Sequence, residues 1–197
     1  ILSVKSIKNN ILKFKPDCIL HLASLSRPMN IHDKNINRSI DINIIGTANL
    51  VKACNDKNIK IIFFSTSYVY PGRKGNYNEN DPVLPWNNYG WSKLGAESAV
   101  QMYRNSLIIR ACMTEEPFIH KFAFDNVKSN FIFHKDFAEK FIKVLEFSGI
   151  INIGGKTQTI YQFAKKNNKS VKKLKSKDQL PLKMNMNTKK YKRLIKR

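Results

Sequence analysis

Apolar residues recur along this chain with two periods that take turns. Ile7, Ile11 and Leu12 fall on one face of a helix predicted over 4–14, and Pro16-Asp17 ends it. Cys18-Ile19-Leu20-His21-Leu22-Ala23 reads as a buried strand. Ser24 to Asn35 is polar and irregular, with Pro28 forbidding regular pairing. Ile44, Ala48, Leu50, Val51 and Cys54 then return to helical spacing over 40–54. Lys60-Ile61-Ile62-Phe63-Phe64 is a continuous apolar run, short enough for a strand buried on both faces, as in parallel sheets held between helices. A loop rich in Pro, Gly and Asn covers 70–88, a helix 89–103, and a strand led by Leu107-Ile108-Ile109 covers 106–111. The stretch 115–133 is aperiodic. Helices are predicted over 136–147 and 159–165, with a strand at 150–153 that turns at Gly154-Gly155. The remainder is Lys-rich and thin in apolar residues.

Alternating strands and helices predict an α/β fold around a parallel sheet wound with right-handed crossovers. The length, 197 residues, suits one large domain or a domain with a small lobe. No apolar stretch approaches the roughly 18 residues of a membrane span, so no membrane partner is expected. The net charge of +21 invites a nucleic-acid reading. Its distribution argues otherwise: from Lys165 to Arg197 there are fourteen basic residues and one acid, Asp178, with few aromatics interleaved. Arginine, the better residue for bidentate phosphate recognition, numbers 7 against 28 lysines. A solvated basic surface and no nucleic-acid partner are expected. Cys18, Cys54 and Cys112 show no paired spacing and sit among apolar residues, which predicts buried free thiols in a reducing cytoplasm and no metal.

Ligands of such sheets bind at the carboxyl ends of the strands. Three strands here end in small or polar residues: Ala23-Ser24, Ser65-Thr66-Ser67 and Cys112-Met113-Thr114. A more specific element follows in Tyr89-Gly90-Trp91-Ser92-Lys93. Tyr and Lys four apart at a helix start share one face. A phenol titrates near 10, and a neighbouring ammonium favours its ionised form. With the Thr66 hydroxyl holding a substrate oxygen in line, the trio makes a general acid/base for an alcohol or carbonyl whose carbon exchanges hydride. Arg110, at the end of a strand, is left to meet a phosphate or to close a loop.

Several segments together carry a family resemblance. Pro16-Asp17-Cys18-Ile19-Leu20-His21-Leu22-Ala23-Ser24 resembles the Pro-Asp-x-x-x-His-x-Ala-Ala segment of the extended short-chain dehydrogenase/reductase family. Asn43-Ile44-Ile45-Gly46-Thr47-Ala48-Asn49-Leu50 is similar to its Asn-x-x-Gly-Thr-x-Asn-Leu helix. Phe64-Ser65-Thr66-Ser67-Tyr68-Val69-Tyr70 looks like its catalytic Ser/Thr strand, and Tyr89 and Lys93 match its Tyr-x-x-x-Lys pair. His134-Lys135-Asp136-Phe137-Ala138 and Asn152-Ile153-Gly154-Gly155 resemble its later landmarks. The resemblance runs from about Pro16 to Gly155 and is closest to dTDP-4-dehydrorhamnose reductases, where Ser67 replaces an Asp.

What the resemblance implies is an incomplete Rossmann-type doubly wound parallel sheet, formed by 1–111 and 135–155, with a small discontinuous lobe from 112–134 and 156–197. It implies NAD(P)-dependent reduction of a 4-keto nucleotide sugar. Thr66, Tyr89 and Lys93 would be catalytic; Leu22, Ala23, Ser24, Tyr89 and Lys93 would hold NAD or NADP; Thr66 and Ser67 would face the sugar. A homodimer is left open. Ser67 and Tyr68 stand where 4,6-dehydratases carry Asp and Glu, which disfavours dehydration. A 4-epimerase and a non-catalytic regulatory homologue are the alternatives. His120 and Cys112 lie where 3,5-epimerase/reductases place proton-transfer groups, but without a motif. The family opens with a strand, a Gly-rich turn and a helix that bind the cofactor pyrophosphate. This sequence has no Gly-x-x-Gly-x-x-Gly, and its first glycine is Gly46. The expectation is therefore a fragment lacking about one βαβ unit, roughly 30 residues or more, and a poor binder of dinucleotide as it stands.

Overall fold

The apolar run after Lys60 becomes the strand around which the rest packs. A computed structural model describes residues 1–178 and 180–196. Strands β1 (Cys18–His21), β2 (Lys60–Thr66), β3 (Ser106–Ala111) and β4 (Gly149–Ile153) pair in that order, all parallel. Thr66 pairs with Ala111, and Ala111 with Ile153, so three carboxyl ends finish level along one edge.

Successive side chains of β2 point to opposite faces, which divides the core in two. Ile61 and Phe63 pack with Ile11 of α1 (Val4–Phe14), Val51 and Cys54 of α2 (Gly46–Asn55), and Ala96 and Val100 of α3 (Asn88–Gln101). Ile62 and Phe64 face the other way. They pack with Leu107, Ile109 and Ile151 beneath Phe137 of α4 (His134–Phe141). Burying each such side chain contributes about 1.5–3 kcal/mol.

A further cluster lies away from the sheet: Phe118, Val127, Phe133, Val171 and Met184 gather around Ile160 and Phe163 of α5 (Ile160–Asn167). Phe122–Phe124 pairs there with Lys172–Leu174, and Lys128–Ser129 with Gln158–Thr159. The basic tail is woven into the sheet core and this cluster. Met186 joins Val69, Tyr70 and Tyr77, and Tyr191 of α6 (Lys189–Leu194) returns to the sheet, while the tail's lysines stay exposed.

Two regions differ from the expected elements. The second helical run starts at Ile36 and passes through a π-helix, Ile40–Ile45, before α2. Such wide turns recur at functional sites, and this one contains the buried Asn43. β1 is also shorter than expected and forms an edge. Cys18 is exposed, Leu20 is 44% exposed, and Leu22 just beyond it 63%. Among the described residues no helix is long and apolar enough to cross a membrane, and no three His, Cys, Asp or Glu side chains group as metal ligands.

Candidate active site

Thr66 is the last residue of β2, and its buried hydroxyl accepts from the Tyr68 amide at 3.3 Å. Asn87 caps α3 through the Gly90 amide at 2.8 Å, which places Tyr89 in the first turn and Lys93 one turn further along. Gly90 permits the approach: a Cβ there would stand 2.6 Å from the Tyr68 carbonyl and 2.9 Å from Pro85. Helix and strand end thus meet, and the Tyr89 phenol stands beside the Thr66 hydroxyl. Burial pushes the Tyr89 pKa up to about 12, with the neighbouring Thr66 hydroxyl pulling the other way. At neutral pH the phenol keeps its proton.

Aromatic rings fix this phenol in place. His32 packs against Tyr89 at 5.1 Å between centroids, and Tyr68 meets it edge-on at 5.9 Å with Trp86 behind at 5.3 Å. Lys93 lies deeper, 3% exposed, with its Nζ 4.0 Å from the centre of the Phe63 ring. Burial draws its pKa down to about 7 against the pull of Glu97. Its ammonium has no hydrogen-bond acceptor among the described residues. The Arg27 guanidinium also favours the ionised form of this phenol.

The remaining predicted site residues are spread around this centre. Leu22 and Ala23 are exposed beyond β1, and the Ser24 hydroxyl lies 3.2 Å from Asn43 Oδ1. Ser67 is buried; its hydroxyl has no partner of ordinary geometry and neighbours the Cys112 thiol. Arg110 neither meets a phosphate nor closes a loop. It lies inside β3, donating to Glu97, to the Tyr70 hydroxyl and to the Glu79 carbonyl. His120 is exposed and meets the Phe118 ring edge-on.

Sequence reasoning missed the supports of this centre. Asn43 ties three elements together: its Oδ1 accepts from the Leu25 amide at 2.7 Å, and its Nδ2 donates to the Leu25 carbonyl at 3.0 Å and Ser92 Oγ at 2.8 Å. Thr47 donates back to the Asn43 carbonyl at 2.6 Å and lies 2.8 Å from His21 Nε2. Burial and the charge of Lys93 hold His21 near 4, so it is a neutral strut. Glu97 had a signal: it stands four residues after Lys93, on the same helix face. Arg27 had only its place after a strand.

A family model described as RmlD substrate binding domain matches residues 1–114. Methionine adenosyltransferase 2 subunit beta of Danio rerio is 32% identical over 100 residues, 51% of this chain and 30% of that protein. An N-acetyl-alpha-D-glucosaminyl-diphospho-ditrans,octacis-undecaprenol 4-epimerase of Escherichia coli O157:H7 is 41% identical over 66 residues, 33% of this chain and 20% of that one. The matched segments thus span less than a third of these relatives. A hypothetical dTDP-4-dehydrorhamnose reductase of Sulfolobus tokodaii superposes with a TM-score of 0.86 at 24% identity, covering 98% of this chain and 78% of that chain. A Bacillus anthracis dTDP-4-dehydrorhamnose reductase solved with NADP gives 0.85 at 18%, covering 97% and 78%. A Thermus thermophilus UDP-glucose 4-epimerase solved with NAD gives 0.78 at 15%, covering 98% and 76%. These identities speak to fold, and they bear out the Rossmann-type α/β sheet.

Proposed function

The chain belongs to the RmlD substrate binding domain family, and on that premise we propose that it serves NAD(P)-dependent reduction of a 4-keto nucleotide sugar. One observation carries the reading. A protonated phenol, Tyr89, stands beside the hydroxyl that ends the central strand, with a buried lysine one helical turn away. Similar structures solved with NADP or NAD supply the cofactor class.

The residues fit that cofactor at its reactive end. The Lys93 ammonium, buried and without an acceptor, suits a ribose hydroxyl, and Leu22, Ala23 and Ser24 leave an open flank beyond β1 for the rest of the group. When bound, the cofactor supplies the hydride. Thr66 holds the carbonyl oxygen of the sugar, and Tyr89 passes its proton to that oxygen as the carbon is reduced. Its raised pKa keeps the acid form available across the neutral range. Lys93 orients the ribose and opposes charge left on the phenol. Ser67, beside Thr66, borders the sugar.

A 4-epimerase uses the same trio in both directions, and the similarity to the Escherichia coli 4-epimerase favours it as a second reading. The name of the Danio rerio relative, a subunit of another enzyme, favours a regulatory role; the presence of Thr66, Tyr89 and Lys93 weighs against it.

The test is reduction of a 4-keto nucleotide sugar by NAD(P)H, with cofactor affinity read separately by fluorescence. Tyr89→Phe keeps the ring and removes the proton donor, so turnover should fall about 10²–10⁴-fold with affinity little changed. Lys93→Met should weaken both. Turnover indifferent to Tyr89→Phe would refute the assignment. Cofactor binding without turnover on any 4-keto or 4-hydroxy nucleotide sugar would favour the regulatory reading.

A further inference from the structure

Arg27 and Glu115 are 88 residues apart, and their side chains form an ion pair. Arg27 sits on the loop after β1. Glu115 follows the short strand Met113–Thr114 just beyond β3. Those two strands are not neighbours: β2 runs between them and ends at Thr66. Adjacent strands lie about 4.8 Å apart, so the pair bridges roughly 10 Å across the end of β2, over the Thr66 site. The guanidinium is close enough for its charge to favour ionisation of the Tyr68 and Tyr89 phenols, against the burial that raises both. Thr114 Oγ1 donates to the second oxygen of Glu115 at 3.2 Å and steadies the carboxylate.

The side chains are 52% and 35% exposed. An ion pair this open contributes little to stability, about 0–1 kcal/mol. Its position matters more than its strength. A guanidinium fork matches the oxygens of a phosphate as well as those of a carboxylate. In a nucleotide sugar the diphosphate hangs from C1, across the ring from C4. A substrate whose C4 oxygen reaches Tyr89 therefore carries its anion a sugar's width away, toward the mouth of the cleft. We propose that Arg27 receives the diphosphate of the substrate, and that Glu115 holds its place until the substrate arrives. The exchange replaces one ion pair by another, and the displaced carboxylate has solvent to turn to. This inference rests on the nucleotide-sugar reading of the Thr66 and Tyr89 site.

Calorimetric titration of the chain with dTDP and with UDP tests it without any need for turnover. Arg27→Met should weaken binding about tenfold or more, the scale of a charge-assisted hydrogen bond. Glu115→Gln, which removes the competitor, should tighten it several-fold. Arg104→Met, at an exposed position before β3, removes the same charge and controls for the general attraction of a chain of net charge +21. Circular dichroism of each variant confirms the fold. Affinity no lower in Arg27→Met than in Arg104→Met would overturn the inference and leave the nucleotide-sugar reading standing. So would a Glu115→Gln variant that weakens binding, since a merely structural strap fails alike from either end. No saturable binding of either nucleotide to the unaltered chain would overturn both.

Discussion

Arg110 Nη2 donates to Glu97 Oε2 at 2.7 Å, between side chains only 3% and 0% exposed. The pair joins β3 to α3, the helix that carries Tyr89 and Lys93. Around it, Ser65 donates to Glu97, the Tyr70 hydroxyl lies 3.0 Å from Asn152 Oδ1, and the Asn152 amide donates to Glu79 at 2.9 Å. Burial alone would lower the pKa of Arg110; the hydrogen bonds and charge of Glu97 outweigh it and raise the value above its ordinary range.

Removing one partner of such a pair leaves the other charge buried. Arg110→Met should cost about 3–5 kcal/mol in urea unfolding. Replacing both, Glu97→Leu with Arg110→Met, should recover much of that loss, because no charge is then stranded. A double variant as unstable as the sum of the singles would show that the network, not the pair, sets the cost.

Lys93 makes stability depend on pH with a defined sign. Its pKa falls from 10.5 in the ordinary case to about 7, chiefly through burial. Between those values the unfolded chain holds a proton that the folded chain has released, so this group makes stability rise with pH. Lys93→Met removes the cost of burying the charge. It should stabilise the protein most at or below pH 7, and the gain should vanish by about pH 10.5. Parallel urea titrations at pH 6.5 and 10 decide the matter; a gain that grows with pH would contradict the burial of the ammonium.

Asn43→Ala should loosen the loop after β1 without unfolding the sheet. It leaves the Leu25 amide without its partner, at about 1–3 kcal/mol for a buried donor left unsatisfied, while the Leu25 carbonyl keeps Ser24 Oγ and Ser92 Oγ keeps the Tyr89 carbonyl. Hydrogen exchange at the Leu25 amide should accelerate while that of Ile62 and Ile109 stays slow. Unchanged protection at Leu25 would mean that the loop is held by other contacts.

Truncation after Lys165 is expected to abolish cooperative unfolding. It strips Val171, Met184, Met186 and Tyr191 from three clusters, at about 1.5–3 kcal/mol each, a sum comparable with the 5–15 kcal/mol that holds a typical domain together. Glutamine at the exposed positions Lys172, Lys175 and Lys196 should change stability by only about 0.5 kcal/mol each. A truncated chain with an unaltered thermal transition would show that the tail's buried residues contribute nothing.

The periods of the sequence were enough for the sheet, because strands buried on both faces and their covering helices write unmistakable apolar patterns. The Thr66, Tyr89 and Lys93 trio was legible for a related reason: one strand end and one helical turn place all three. The tail was not, since its buried residues follow no period and are chosen by surfaces made elsewhere in the chain. Two- and three-residue strands such as Lys128–Ser129 are too short to show alternation. Arg110 was ambiguous because a buried arginine declares itself only through its partner, here Glu97 on the preceding helix. Arg27 and Glu115 meet across three strands, a distance that no local pattern spans.

The exposed margin of β1 bears on how the chain behaves in a test tube. Along that strand a row of backbone donors and acceptors lies beside Leu20 and Leu22, a template on which a second extended segment can add. What holds two copies apart is their shared positive charge, and that repulsion weakens as the Debye length shrinks from about 10 Å at 0.1 M salt to about 3 Å at 1 M. Solubility should then decline as salt is added, opposite to the behaviour of a protein kept from its neighbours by a polar skin. Light scattering against ionic strength would display the trend, and a lysine in place of Leu20 should flatten it.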